Sequence, residues 1–379
     1  MSVQLKGITW GHSRGFTSIV GVTQRYAELH PGFDITWHKR SLTEFESKPI
    51  DQLAAEYDLL IIDHPWAGFA AAHNVLLPLD EWLDADYMAD QRANSVGQSC
   101  ASYDFDGFQS ALAIDAASPV AVWRPDRLSA DAVPSTFDEV LELAKQGVVA
   151  FAGTPQYLLM DFIGLCNTAG GRLFAPGEEH VVDRATGVRV LEDMRRLARL
   201  CDPAVFEWST IELHERLAKS DTLSYCPWVY GYVNYSRRGY AEHALKAGNV
   251  PAYAGRLVTG VLGGTGLAIS AGTRHPREAA DFVAYAASGE VQRTLFADNG
   301  GQPGHRAAWL DEECNRTTLD FFADTLETLD ASYMRPRYSG YLTFQDNAGG
   351  FIQDFVRGDG AAEAVLDQLD ALYVRSREQ

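Results

Sequence analysis

Four aromatic residues stand where short apolar runs give way to polar, turn-forming chain: Trp10 at the end of Leu5 to Trp10, Trp66 after Leu59-Leu60-Ile61-Ile62, and Trp228 and Tyr230 within Leu223 to Tyr232. A rigid aromatic face packs on the C–H surface of a sugar at small entropic cost, while neighbouring polar groups take its hydroxyls. Asp63 and Asp115 follow apolar runs of strand length, and an ionised carboxylate, which only accepts, suits vicinal hydroxyls. Arg14, His12 and His64 suit a carboxylate or phosphate on a ligand instead. Arg14 lies near the start of the first helix, where free backbone N–H groups also favour an anion. Gly264, in the turn Leu262-Gly263-Gly264-Thr265-Gly266, completes the candidate ligand-binding set. Each has a structural alternative: packing for the aromatics, loop capping for the aspartates, ordinary hydrogen bonding for the histidines.

Two motifs bear on catalysis. Gly11-His12-Ser13-Arg14-Gly15 matches G-x-S-x-G between a strand and a helix, the setting of a nucleophile elbow. Too little chain precedes it to supply an oxyanion loop, and no acid and histidine follow in assignable triad order, so its glycines are expected to serve turn geometry. Gly263-Gly264-Thr265-Gly266 precedes a strand rather than following one, which excludes a dinucleotide fingerprint. With no HExxH, CxxC or clustered His/Asp spacing, no metal, cofactor or catalytic residue is expected. Cys100, Cys166, Cys201, Cys226 and Cys314 are odd in number and widely spaced. They read as buried free thiols rather than a disulfide framework.

The elements that must position these residues follow an α/β pattern. Leu5 to Trp10 predicts a strand, Ile19, Val22, Tyr26 and Leu29 space out a helix ending near His30-Pro31-Gly32, and Asp34 to His38 predicts a second strand. Leu53 to Tyr57 closes another helix, and Leu59 to Ile62 has the unbroken apolarity of a strand buried on both faces. The sheet should be mostly parallel, and in such sheets ligands sit beyond the carboxyl ends of the strands, where His12, Arg14, Asp63, His64 and Trp66 fall. Further on, Ser135 to Val140 opens a capped helix, Gly147 to Gly153 reads as strand and turn, and Leu158 to Cys166 and Gly187 to Cys201 read as helices. His275-Pro276-Arg277-Glu278 starts a helix that Gly289 ends, Val291, Leu295 and Phe296 lie on a second one, and Asn299 to Pro303 makes a tight return.

Composition narrows the partners. The chain has 379 residues, 46% hydrophobic and 22% charged, enough for two cores. Its formal charge of −19, from 32 basic and 51 acidic residues, argues against nucleic acid and anionic membrane. No apolar window is long enough to span a bilayer.

Three blocks carry a family resemblance. The run from Gly260 to Arg306, with its Gly-rich turn, strand, Pro-started helix and polar return, is similar to a signature of the extracellular solute-binding proteins of ABC importers, family 1, the sugar-binding branch. Phe108-Gln109-Ser110-Ala111-Leu112-Ala113-Ile114-Asp115 and its continuation to Asp126 resemble that family's crossing between lobes. Leu79-Asp80-Glu81-Trp82-Leu83, on a pattern beginning at Leu76, is the third match. The resemblance implies a two-lobed, periplasmic-binding-protein-like type II fold of α/β class, each lobe a mixed sheet flanked by helices, with a ligand cleft between lobes.

It further implies residues 1–114 and 255–310 as the N-terminal lobe, 115–254 and 311–379 as the C-terminal lobe with hinge and outer helices, and closure about the crossing from Ile114 to Val122. The expected function is capture of a small polar solute, a carbohydrate or related polyol or sugar acid, by a monomer that serves ABC importer permease subunits outside the cytoplasm. An exported chain starts with a basic, then apolar leader, whereas Met1-Ser2-Val3-Gln4 runs almost at once into a strand. A removed leader or a cytoplasmic location are the two expectations. The second accompanies the rival function, an enzyme on the same fold, as thiaminases resemble these binding proteins, with Cys226 as nucleophile.

Overall fold

The computed structural model describes residues 2–378 and contains the strands β1 (Val3–Trp10), β2 (Phe33–Arg40), β3 (Leu59–Ile62), β4 (Asp104–Phe105), β5 (Phe108–Gln109), β6 (Leu112–Ala117), β7 (Pro119–Trp123), β8 (Tyr225–Tyr230), β9 (Lys246–Gly248) and β10 (Gly263–Ile269). The chain divides into two compact units. The first is Met1–Ala117, Gly263–Ala323 and Arg337–Ser339; the second is Ser118–Leu262, Asp324–Pro336 and Gly340–Gln379. These bounds differ from the expected ones by three residues where the chain first leaves the unit, eight where it returns and thirteen where it leaves again, and the reason for the first is visible in the ladder. β6 pairs with β10 as far as Ala117 opposite Gly263, so Asp115 belongs to the first unit's sheet and the chain leaves that unit only after Ala117. Residues 311–323 also join the first unit, where Phe321 and Phe322 pack on Trp309.

The first unit is built on a five-stranded sheet of order β2-β1-β3-β10-β6. β1 runs parallel to β2 and β3, as the alternating strand-helix pattern predicts, and β10, arriving from far along the chain, inserts antiparallel between β3 and β6. All four residues of β3 are buried, which accounts for their unbroken apolarity. Helices Thr17–Leu29 and Pro276–Ala287 bury the stripes Ile19, Val22, Tyr26 and Ala279, Phe282, Val283, Ala286 in the core of this unit. Gly289 does not end the second of these helices. Ser288 ends it and accepts a hydrogen bond from the Val291 N–H, and Gly289 begins the next turn, where a Cβ would come within 2.7 Å of the His305 ring.

The second unit has a three-stranded antiparallel sheet of order β8-β7-β9. Its helix Phe137–Ala144 starts in a capping box in which Thr136 and Glu139 satisfy each other's backbone N–H groups. The strand expected over Gly147 to Gly153 is reduced to one bridge between Val149 and Tyr225. The backbone turns at Gly147, with φ of +74°, and Gly153 is drawn to the Val205 carbonyl, where a side chain would collide. Helix Pro155–Thr168 is buried along most of its length, and Gly349 lets helix Tyr341–Arg357 approach the backbone of Pro155. Among the described residues no helix is long and apolar enough to cross a membrane.

Candidate functional site

The carboxyl ends of β1 and β3 carry most of the first unit's predicted site residues, and the structure gives several of them internal partners. Arg14 is 4% exposed and Asp115 1%. Arg14 Nε donates to one Asp115 oxygen at 2.8 Å and its Nη2 to the other, a bidentate pair joining residues 101 apart in sequence. The Asp115 carboxylate therefore accepts from a guanidinium rather than from ligand hydroxyls, and Arg14 is neutralised rather than offered to an anion. Burial pushes the Asp115 carboxyl up, and Arg14 and the Gln302 backbone N–H pull it back. His12 Nδ1 accepts from the Arg14 backbone N–H at 3.1 Å, and the Gly15 N–H bonds to the His12 carbonyl at 3.0 Å. The Gly11 to Gly15 motif is thus a turn whose last glycine lets the Trp10 ring lie over it.

Asp63 caps the short turn His64–Trp66: its Oδ1 accepts the His64 backbone N–H at 2.8 Å and lies 3.3 Å from His64 Nδ1. His64 is fully buried, edge-on to Tyr103, and Trp66 is buried, edge-on to Phe69. Trp10 belongs to the core, its ring 5.3 Å from that of Phe45. Gly264 has φ of +101°, and a Cβ there would run into the Asp115 carbonyl, so this glycine serves the close approach of β10 to β6.

In the second unit the aromatics that end β8 meet a group that the sequence reading passed over. Trp228 and Tyr230 are two apart on the strand and share a face. Tyr157 and Asp161 are four apart on helix Pro155–Thr168 and share a face as well. The two faces come together: the Trp228 indole N–H donates to the Asp161 carboxylate, and the rings of Tyr157 and Tyr230 lie 6.2 Å apart. Phe137 stacks on Trp228 at 5.9 Å and fixes its plane. The Tyr230 carbonyl is held by the Thr210 hydroxyl at 3.1 Å.

Asp161 is 9% exposed, and among the described residues no basic side chain pairs with it. Burial pushes its carboxyl well above the usual carboxylate range, against the pull of the Trp228 N–H. The signal was present in the sequence as a single acid inside Leu158-Leu159-Met160-Asp161-Phe162-Ile163, a run otherwise apolar. Cys226, two residues before Trp228, is fully buried; its thiol donates to the Trp228 carbonyl at 3.3 Å, and burial pushes its pKa well up. A thiol held protonated and sealed from solvent is no nucleophile, which removes the residue on which the enzyme reading rested. The other four cysteines are buried thiols as well, none of them in a disulfide. Among the described residues no group of three or more His, Cys, Asp or Glu is placed to hold a metal.

Two α/β units, each with its own sheet and helices and each assembled from separated stretches of chain, define the two-lobed periplasmic-binding-protein-like type II architecture. Maltose-bound MalE3 of T. maritima superposes with a TM-score of 0.84 at 18% identity, covering 99% of this chain and 100% of that one. An ABC transporter solute-binding protein from Agrobacterium radiobacter, in complex with ribitol, gives 0.83 at 19% identity, covering 99% and 98%. A probable ABC transporter-binding protein of Deinococcus radiodurans is 23% identical over 307 residues, 75% of this chain and 70% of its own length. The model of the bacterial extracellular solute-binding protein family matches residues 22–318, and the chain belongs to that family.

Proposed function

We propose that this protein captures a small hydroxylated solute, a carbohydrate or related polyol, and presents it to the permease of an ABC importer on the outer side of the membrane. The observation that carries this reading is the grouping of Tyr157, Asp161, Trp228 and Tyr230. A carboxylate that gives only one of its acceptor sites to an indole N–H has capacity left for hydroxyl donors, and the rings beside it offer the flat apolar faces on which a sugar stacks. Taken by itself, the first unit offers His12, Asp63 and Trp66, at or just beyond the carboxyl ends of β1 and β3, as candidate solute contacts. The maltose and ribitol bound by two structural relatives support the same class of solute. A thermal-shift screen of neutral sugars, polyols and sugar acids tests it. A solute at a hundred times its dissociation constant stabilises the fold by about 2.7 kcal/mol, and a screen in which no hydroxylated compound moves the melting temperature contradicts the reading.

A further inference from the structure

Trp10 and Arg40 end β1 and β2 and are direct partners in the parallel register, so their side chains leave the sheet on one face. Trp10 is 3% exposed and Arg40 8%. Phe45 touches both, its ring 5.3 Å from the indole and 5.0 Å from the guanidinium carbon. Arg40 Nη2 donates to the Ile61 carbonyl at 3.2 Å and Nη1 to the Glu44 carbonyl at 3.3 Å. Since β1 lies between β2 and β3, the guanidinium reaches across the carboxyl end of β1, the edge at which parallel sheets meet their ligands.

Two buried donors remain. Neither Arg40 Nε nor Trp10 Nε1 has an acceptor among the described residues. Nor does Arg40 have a counter-ion there: the Glu44 carboxylate accepts from the Ser41 N–H and hydroxyl at 2.9 and 3.0 Å, and reaches Arg40 only through the long-range field. Burial lowers Arg40 to about 10, which leaves it cationic at neutral pH. Arg14, a few residues beyond Trp10, shows the satisfied alternative, a full fork on Asp115. A buried guanidinium without an anion is costly, and orphaned buried donors are rare enough to need a cause.

We propose that Trp10 and Arg40 form an anion subsite that holds a carboxylate oxygen of the captured solute, which makes that solute a sugar acid rather than a neutral sugar. The proposal rests on the reading of the chain as a carbohydrate- or polyol-capturing protein and narrows it. One cation and two N–H donors match a singly charged carboxylate; a phosphate dianion would bring a second charge into a protein already at −19.

Calorimetry on the full chain decides it, with D-galacturonate and D-gluconate set against D-galactose and ribitol, and inorganic phosphate as a third arm. The expected result is that an acid binds at least tenfold more tightly than its neutral counterpart. Trp10→Phe, which keeps the ring and removes the N–H, should weaken the acid about tenfold and leave the neutral compound unchanged. Arg40→Met should abolish the preference for the acid, and Trp10→Phe carries the test by itself if that variant does not fold. Neutral sugars binding as tightly as acids, with Trp10→Phe neutral for both, overturns the subsite and leaves capture intact. Phosphate binding alone overturns the sugar-acid assignment, as does binding of none of the compounds, whereas capture stands or falls with the thermal-shift screen.

Discussion

Asp115 in the first unit and Asp161 in the second are both buried, yet they are stabilised in opposite ways. Asp115 accepts both arms of the Arg14 fork and a backbone N–H from Gln302. Asp161 accepts one indole N–H and, among the described residues, has no cation beside it. A buried carboxylate whose partners are all supplied by the protein is a fixture of the scaffold, and one left half-satisfied beside the partly exposed Tyr230 ring is poised for a partner from outside. Polar residue type and burial alone do not separate the two cases. The count of internal partners does.

The largest effect that sharpens this contrast is on stability. Arg14→Met leaves a buried carboxylate unpaired and should cost about 3–5 kcal/mol in denaturant unfolding. The double variant Arg14→Met with Asp115→Leu should recover most of that loss, and a single variant as stable as wild type would show that the pair is not structural.

Asp161→Asn should act in the other direction. A carboxyl raised by burial binds a proton more readily in the folded than in the unfolded chain, so its contribution to stability is full below the unfolded value of about 3.9 and is lost as pH rises through the folded value. The amide removes that loss, so the variant should gain stability over wild type at neutral pH and match it in acid, while binding the solute about tenfold more weakly. A variant that is less stable at neutral pH, or that binds normally, would place Asp161 with Asp115 among the scaffold groups. The smallest effect belongs to Cys226→Ala. It should cost about 1 kcal/mol or less of stability and leave solute affinity unchanged by calorimetry, since the thiol is fully buried and hydrogen-bonds the Trp228 carbonyl.

Much of the fold follows from local signals. The capping box at Thr136 and Glu139, the proline that starts helix Pro276–Ala287 and the four buried residues of β3 each declare themselves within a few positions. What did not declare itself depends on distant chain. The partner of Asp115 lies 101 residues away, so a residue that reads as a free acceptor at a strand end is a closed ion pair. Gly147 to Gly153 has strand-like residues, but the pull of Val205 on Gly153 turns the chain away after one bridge. Trp228 and Tyr230 stood out as aromatics ending a strand, whereas Asp161 was absorbed into an apolar helix pattern, because periodicity reports which face is buried and not what that face meets. Arg40 was equally open to reading, a charge at the end of a strand, but its lack of a counter-ion among the described residues is a statement about three dimensions.

The grip of Trp228 on the solute is the claim on which the functional account stands. Titration calorimetry of wild type and Trp228→Ala, with a solute identified by thermal shift and recovered afterwards for mass spectrometry, tests it most directly. The account predicts one solute per chain, a loss of about 2 kcal/mol or more in the variant, which is about thirtyfold in affinity, and recovery of the solute unchanged. Equal affinity in the two proteins, or conversion of the solute to a product by the wild type, would contradict it.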